Sequence, residues 1–174
     1  MSFYTEVIKP SPLFNSVQRI STLDLLEPVT RAAVVAIVAD AAAMGKPVQV
    51  FETYRSEARQ KDLFDRGATQ LQCVGTHHFG VAADLVRLVD GKLNWDVSYA
   101  FLTTLARKHS LISGIDWGMP GMHNTFVDAD HLQRVNLTDQ PQLLALKWYP
   151  GPTYNPYGKA RVRRHQHRRV VTEQ

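Results

Sequence analysis

Hydrophobic and polar residues follow two periods along this chain, and the longest helical period lies between residues 24 and 44. Ser21, Thr22 or Asp24 can cap the start of this helix, and Gly45 can end it. The apolar residues that recur at helical spacing are Leu25, Leu26, Val29, Ala33, Val34, Ile37, Val38, Ala41 and Ala42. The pattern predicts a scaffold helix.

Two shorter helices are predicted further along the chain. Residues 56–66 open with Ser and Glu and end at Gly67, as a capped helix does. Residues 97–108 are predicted to form the next helix.

Strands are predicted where apolar residues alternate with polar ones or run continuously between turn residues. Asp90 and Gly91 give a strong signal for a two-residue hairpin turn. The predicted strands span residues 47–53, 78–89, 92–95, 111–115 and 125–133. This order of elements predicts an α+β fold, in which helices flank a mainly antiparallel sheet.

Composition indicates one ordinary globular domain, which we assign to residues 1–150. The 174 residues are 44% hydrophobic and 21% charged, and a chain of this length buries about 70% of its unfolded surface without needing a disulfide. Cys73 is the only cysteine, which excludes an intramolecular disulfide and a cysteine-rich zinc cluster. His, Asp and Glu therefore remain as metal ligands.

The segment GTHHFGVAAD carries the first sign of chemistry. It places His77 and Asp84 seven positions apart, and His131 follows downstream. Two imidazoles and one carboxylate make a zinc site whose fourth position stays open for water. Asp84 lies in an apolar strand, where a carboxylate needs a compensating partner such as a metal ion. The pattern predicts a metallohydrolase.

His77 and Asp84 cannot share one face of a regular strand, because side chains alternate and the separation is odd. Gly80 lies between them, and a bulge or bend there would shift the phase by one residue. On this interpretation Gly80 is a requirement of the site, and His78 points elsewhere.

Three separated motifs occur in a recognisable order. They are YRSEARQ at residues 54–60 followed by Gly67, H-x-x-G-x-A-x-D at 77–84, and D-x-x-H at 128–131. Together they resemble the zinc peptidases of the LAS superfamily, the VanY-like enzymes that cleave cell-wall peptides. The resemblance covers roughly residues 24–135 and implies a hedgehog/DD-peptidase-like fold.

The resemblance also implies roles for individual residues. The three metal ligands would hold one Zn²⁺ per chain. Asp128 resembles the general base of the family, with Asp130 as a competitor for the role, and Arg55 would donate hydrogen bonds to the scissile carbonyl oxygen. The residues expected to contact substrate are Gln60, Tyr54, Thr76, His123 and Trp117.

The implied substrates are the stem peptides of peptidoglycan. The length of the chain is close to that of compact phage-type endopeptidases, which favours L-alanyl-D-glutamate cleavage. The alternative reaction is that of a D-alanyl-D-alanine carboxypeptidase or dipeptidase. A different class is a non-catalytic, zinc-containing module that binds the wall or a partner, as hedgehog-type domains do. Asp128 and Arg55 argue against such a module, which needs neither a base nor an oxyanion donor.

Positive charge is concentrated at the C-terminus. Six of the 20 Lys and Arg residues lie in the last sixteen positions, so residues 151–174 are predicted to form a basic, flexible tail. Such a tail can attract an anionic polymer of the wall or outer membrane. No DNA-reading motif accompanies it, so no specific nucleic-acid partner is expected.

The N-terminus lacks the basic start and apolar run of a signal peptide. No apolar stretch approaches the roughly 18 residues that span a bilayer. We therefore expect a monomer without a transmembrane segment. It would be made in the cytoplasm and released to the wall as a lysin is, or secreted if a leader was removed.

Overall fold

The structure is a computed structural model that describes residues 1–120 and 124–158. Its α-helices are α1 (Pro28–Ala43), α2 (Glu57–Asp65), α3 (Ala100–Lys108) and α4 (Gln140–Leu144). Its strands are β1 (Val48–Glu52), β2 (Ala82–Val89), β3 (Lys92–Asn94), β4 (Ile112–Ser113) and β5 (His131–Gln133). Short helical turns span Tyr4–Ile8, Leu23–Leu25 and Thr76–Phe79. Among these described helices, none has the length and apolar character that crossing a membrane requires.

The strands form one antiparallel sheet in the order β1-β2-β5-β4, with β3 paired to β2. Its register aligns three polar residues across neighbouring strands, because Glu52 pairs with Asp84 and Asp84 pairs with His131. Register partners project to the same side of a sheet. The sheet therefore brings together side chains that lie far apart in the sequence.

The main core lies between the sheet and the pair α1 and α3. Helix α1 contributes Val34 and Ile37, and α3 contributes Leu102, all fully buried. β2 supplies Ala83 and Leu85 to the same cluster. The predicted scaffold role of the first helix and the α+β class are confirmed.

A second core cluster forms around the N-terminal segment. Tyr4, Ile8 and Tyr54 are buried there with Phe79. This packing corrects the prediction that Tyr54 contacts substrate. Its side chain is 0% exposed, and its hydroxyl donates to the carbonyl of Phe14 at 2.8 Å. Tyr54 therefore supports the domain from within.

The first helix begins later than predicted. Leu23–Leu25 forms a separate 3₁₀ turn, and Glu27 has an extended ψ of 140°. Pro28 explains this start, because proline disfavours a helical conformation in the residue before it and is well tolerated at the first helical position. The Glu27 side chain accepts a hydrogen bond from the Thr30 amide and caps the helix.

Every predicted strand is shorter in the structure, and two of them differ most from the prediction. The strand predicted over 78–89 begins at Ala82, and the one predicted over 125–133 is reduced to β5. Asp128 lies before β5 in irregular backbone, where the His131 amide donates to the Asp128 carbonyl at 3.3 Å. This turn replaces the regular alternation that the sequence pattern suggested.

The described part of the predicted tail, 151–158, packs against the domain. Arg134 is 1% exposed and donates through Nη2 to the carbonyl of Gly151 at 2.6 Å. The Tyr157 hydroxyl donates to the Leu111 carbonyl, also at 2.6 Å. These contacts correct the predicted boundary, since a flexible tail cannot begin at residue 151. Residues 159–174 lie outside the described part of the chain.

Candidate metal centre

Three buried side chains meet at one point above the sheet. His77 comes from the turn Thr76–Phe79, Asp84 from the middle of β2 and His131 from the start of β5. His77 Nε2 lies 3.0 Å from Asp84 Oδ1 and 3.2 Å from His131 Nδ1. His131 Nδ1 lies 3.0 Å from the same carboxylate oxygen. The three predicted ligands therefore converge.

The distances between the three ligand atoms fit a small cation. Ligands bound to zinc at about 2.0–2.1 Å in a tetrahedron lie roughly 3.3 Å from one another. The observed edges of 3.0 to 3.2 Å are only slightly shorter. Among the described residues these three side chains would hold the ion, and a further coordination position would be open to water or substrate.

The hydrogen bond at the far side of the His77 ring identifies its ligating nitrogen. Nδ1 lies 3.3 Å from the carbonyl oxygen of Thr53. A carbonyl oxygen only accepts, so Nδ1 must carry the proton. In the neutral ring, the lone pair of Nε2 then faces Asp84 and His131.

His131 is held in the opposite tautomer. Its Nε2 lies 3.1 Å from Gln133 Oε1. The amide group of Gln133 is oriented by a second bond, in which its Nε2 donates to the Val135 carbonyl. Gln133 Oε1 is therefore an acceptor, and the lone pair of the neutral His131 ring lies on Nδ1.

Two imidazole lone pairs and a carboxylate oxygen consequently point at one another. Such a cluster of acceptors needs a positive charge at its centre, and these donor types suit a zinc ion. Burial opposes ionisation of Asp84, yet the attraction of His77 and the close contacts with both histidine rings hold the pKa of its carboxyl well below the usual range. Burial lowers the pKa of His131, but Asp84 outweighs this effect and the pKa is raised. The cluster therefore favours added positive charge.

Gly80 permits the turn that carries His77, although by a different geometry from the predicted bulge. His77 precedes the strand, and Gly80 ends the 3₁₀ turn in the left-handed conformation at φ 67°. A Cβ at this position would lie 2.4 Å from the Leu25 carbonyl oxygen. Of the two predicted geometries, the bulge within one strand is wrong and the bend at Gly80 agrees with the structure. The requirement for glycine is steric. His78 points away, with Nε2 3.0 Å from the Tyr4 hydroxyl.

Arg55 lies just beyond the end of β1 and lines the cavity above the three ligands. Its Nε donates to Glu52 Oε2 at 2.7 Å, and its Nη2 donates to Asp84 Oδ2 at 3.1 Å. Glu52 is 1% exposed and also accepts from Arg59 Nε at 3.2 Å. The Arg55 guanidinium is therefore fixed in place by two carboxylates. Its predicted position beside the metal ligands agrees with this geometry.

The anchoring role of Glu52 is absent from the sequence-based prediction. A signal was present, since a buried carboxylate lies in β1 three residues before Arg55. Gln133 was also missed, although it lies two residues after His131 and therefore on the same face of β5.

Asp128 lines the cavity, and its backbone packs closely on Gly114. The Asp128 amide donates to the Gly114 carbonyl at 3.0 Å, and a Cβ on Gly114 would lie 2.3 Å from the Asp128 carbonyl oxygen. The competing residue, Asp130, is not among the residues that line the cavity. Its Oδ2 accepts from Trp95 Nε1 at 3.0 Å. Burial, with the nearby charges of Asp84 and Asp128, raises the pKa of Asp130 to about 7.

The cavity has a volume of about 510 Å³, and three further predicted contact residues line it. Thr76 forms part of the floor, where its hydroxyl donates to Gln133 Oε1 at 3.2 Å. Gln60 donates through Nε2 to the Leu71 carbonyl and so holds one rim. The Trp117 ring stacks on Phe126 at 6.0 Å and lies 5.5 Å from the His131 ring. His123, the remaining predicted contact, lies outside the described residues.

No protein-family model matches the sequence, and no curated protein matches it. Solved structures do resemble it. ChiX, an L-Ala D-Glu endopeptidase of Serratia marcescens, is 23% identical with a TM-score of 0.47, over 68% of this chain and 90% of that chain. The LD-carboxypeptidase LdcB is 18% identical with a TM-score of 0.50, over 71% and 72%. VanY, a D,D-pentapeptidase in complex with Zn(II), is 14% identical with a TM-score of 0.50, over 69% and 78%.

The likeness to LdcB and VanY concerns the fold. It confirms the fold that the three motifs implied, an open antiparallel sheet flanked by helices with the DD-peptidase arrangement.

Proposed function

We propose that this protein is a zinc metallopeptidase that hydrolyses the stem peptides of peptidoglycan. The observation that carries the proposal is the convergence of the lone pairs of His77 and His131 with a carboxylate oxygen of Asp84. Two members of this cluster, His77 and His131, line a cavity that is also lined by Asp128 and Arg55. A purely structural zinc site would be closed by a fourth protein ligand.

The residues in and around the cluster have separate roles in the proposed peptide hydrolysis. A zinc ion held by the three ligands supplies a Lewis acid and makes a water molecule more acidic. Asp128 faces the same cavity and can accept a proton from water, then deliver it to the leaving amine. Arg55 presents a planar, permanently charged donor to the carbonyl oxygen of the scissile bond, where negative charge develops.

The class of substrate is supported by the proteins that share the fold. The structure of LdcB concerns recognition of peptidoglycan, and VanY is a D,D-pentapeptidase of a vancomycin resistance cassette. A cavity of about 510 Å³ accommodates a short peptide segment. Peptidoglycan lies outside the cytoplasmic membrane, so the proposal includes release or export of the protein to the wall.

Within this class we favour cleavage of an internal bond, with the bond between L-Ala and D-Glu preferred. A carboxypeptidase needs a cation or an amide nest for the terminal carboxylate of its substrate. Among the described residues that line the cavity, Arg55 is the only Lys or Arg, and it is already paired with Glu52 and Asp84. The rest of the polar lining is mostly neutral, with Thr69, Gln70 and similar side chains. D-Alanyl-D-alanine carboxypeptidase or dipeptidase activity is the alternative.

The proposal is tested by measuring zinc content and digesting intact peptidoglycan with the purified full chain. We expect one zinc per chain and new stem-peptide termini in mass spectra of the digest. His131→Ala should lose both zinc and turnover. Zinc binding without cleavage of any wall peptide would refute the enzyme and favour a binding module. Absence of bound metal would refute the metal site.

Paired synthetic stem peptides distinguish the two kinds of cleavage. One peptide carries a free C-terminal carboxylate, and its partner carries a C-terminal amide. An endopeptidase cleaves both at similar rates, whereas a carboxypeptidase loses its substrate when the carboxylate is blocked. A strong preference for the free acid would therefore overturn the endopeptidase assignment and leave the peptidase proposal intact.

A further inference from the structure

Gln133 makes three hydrogen bonds from a fully enclosed position. Its side chain is 1% exposed and projects from β5 on the same face as His131. Oε1 accepts from His131 Nε2 at 3.1 Å and from Thr76 Oγ1 at 3.2 Å. Nε2 donates to the Val135 carbonyl. One amide group thus contacts a metal ligand, the residue before the other histidine ligand, and the backbone beyond β5.

These partners permit one orientation of the amide. If it were flipped, its oxygen would face the Val135 carbonyl and its NH₂ group would face Thr76 and His131. A buried acceptor placed against another acceptor loses its hydrogen bond and gains no contact with water in exchange, which is unfavourable. The orientation of Gln133 is therefore strongly determined, and so is the identity of its acceptor atom.

The acceptor atom controls which nitrogen of His131 is protonated. A neutral imidazole has one N–H and one lone pair. Because Gln133 Oε1 holds the proton on Nε2, the lone pair lies on Nδ1, which faces His77 and Asp84. Without this bond, the other tautomer would direct an N–H at the ligand cluster and block ligation.

The Gln133 amide oxygen also influences the position of His77, through Thr76. Thr76 immediately precedes His77 in the turn Thr76–Phe79 and is 3% exposed. Its hydrogen bond to Gln133 ties this turn to β5, which carries His131. The Gln133 amide oxygen therefore binds both the His131 ring and Thr76, the residue before His77.

We propose that Gln133 is the positioning residue of the metal centre, which sets the ligating nitrogen of His131 and fixes the turn that presents His77. The inference rests on the metal site of the proposed function and not on its substrate.

Zinc affinity tests the first consequence. Gln133→Met keeps the length and apolar volume of the side chain but removes the acceptor, and we expect zinc affinity in competition with a chelator to fall about 10- to 100-fold. Gln133→Glu retains an acceptor oxygen and should bind zinc far more tightly than the Met variant. Gln142→Met is the control, because Gln142 lies in α4 and is not among the residues that line the cavity. Its zinc affinity should not change.

Nuclear magnetic resonance of the metal-free protein tests the tautomer directly, at a pH high enough to keep the His131 ring neutral. Long-range proton–nitrogen correlations should show His131 protonated on Nε2 in the unaltered chain. In Gln133→Met, the Nδ1–H form should become populated while the circular dichroism spectrum stays the same. A role in packing alone would leave the tautomer unchanged.

The outcomes separate this inference from the proposed function. Unaltered zinc affinity in a folded Gln133→Met variant would overturn the inference, as would an Nδ1–H tautomer of His131 in the unaltered chain. If Gln133→Met does not fold, the inference is still tested by the His131 tautomer in the unaltered chain and by the zinc affinity of Gln133→Glu. Zinc binding that depends on Gln133, without hydrolysis of any wall peptide, would support the inference and refute the enzyme.

Discussion

Asp84 and Arg55 share a hydrogen bond of 3.1 Å between Oδ2 and Nη2, while the other carboxylate oxygen of Asp84 faces the two histidines. The Asp84 side chain therefore contacts both histidines and the Arg55 guanidinium at the same time. Glu52, the register partner of Asp84 on β1, binds the same guanidinium from the neighbouring strand. The sheet register thus fixes how far the proposed oxyanion donor lies from the proposed metal.

Arg55→Lys should slow turnover while the protein still binds zinc. Lysine keeps the charge but loses the planar fork that contacts Glu52 and Asp84 simultaneously. We expect kcat on a synthetic stem peptide to fall about 10²- to 10³-fold. Zinc content measured on the same sample should remain at one per chain. An unchanged kcat would show that Arg55 only supports the fold.

Asp128→Asn should abolish proton transfer without disturbing the metal ligands. Losing a general base costs about 10²- to 10⁴-fold in rate, and the variant should retain its zinc. Asp130→Asn is the matched control, because Asp130 lies two residues away and bonds Trp95 instead of lining the cavity. If Asp130→Asn lost more activity than Asp128→Asn, the assignment of the base would be reversed.

Gly114→Ala should displace the segment that carries Asp128. The added Cβ would lie 2.3 Å from the Asp128 carbonyl oxygen and 3.1 Å from its Cβ, so the backbone must move. We expect a loss of about 1–3 kcal/mol in the free energy of unfolding, together with a large loss of kcat. Gly151→Ala is the control, since a Cβ there meets no atom within 4 Å. Urea unfolding and kinetics on both variants provide the comparison.

The ion pairs of Asp40 should make stability depend on pH. Asp40 Oδ2 lies 2.7 Å from His109 Nε2 and 2.8 Å from Lys108 Nζ, which join α1 to the end of α3. The hydrogen bond from His109, followed by that from Lys108, lowers the pKa of Asp40 in the folded state. A lowered pKa gives a contribution that is present above the unfolded value of about 3.9 and is lost as the pH falls through the folded value.

Asp40→Asn should therefore lower the Tm near neutral pH, and its difference from the unaltered chain should shrink in acid. Asp65→Asn is a suitable comparison, because Asp65 pairs with Lys61 within one helix on an exposed surface. Exposed pairs of this kind contribute little. A Tm difference for Asp40→Asn that stays constant down to acidic pH would contradict the prediction.

The three candidate metal ligands are recognisable in the sequence because each belongs to a short motif with fixed spacing. The shape of the segment that holds His77 was not readable, because it depends on Gly80 packing against the Leu25 carbonyl, a contact between distant parts of the chain. Tyr54 was assigned to substrate because it adjoins Arg55 in the motif. Its neighbour lines the cavity, whereas Tyr54 enters the second core cluster.

The supporting residues were missed for a related reason. Glu52 acquires its role only when β1 and β2 pair in the observed register, which places it beside Asp84. The role of Gln133 needs the closeness of Thr76, which lies 57 positions earlier. Local patterns identify which residues can do chemistry, while the contacts that orient them arise from long-range pairing.

The three ligands also have a mechanical consequence, because they belong to separate stretches of the chain. Asp84 and His131 are 47 positions apart, and β5 spans just His131–Gln133. An ion bound by all three in the folded protein would join the two ends of this long loop and stabilise the folded state by its binding free energy. Removing it should speed amide hydrogen exchange in β5 and β4 before the rest of the sheet responds. The ion proposed for catalysis would thereby also stabilise the pairing of β2 and β5, the strands that carry two of its three ligands.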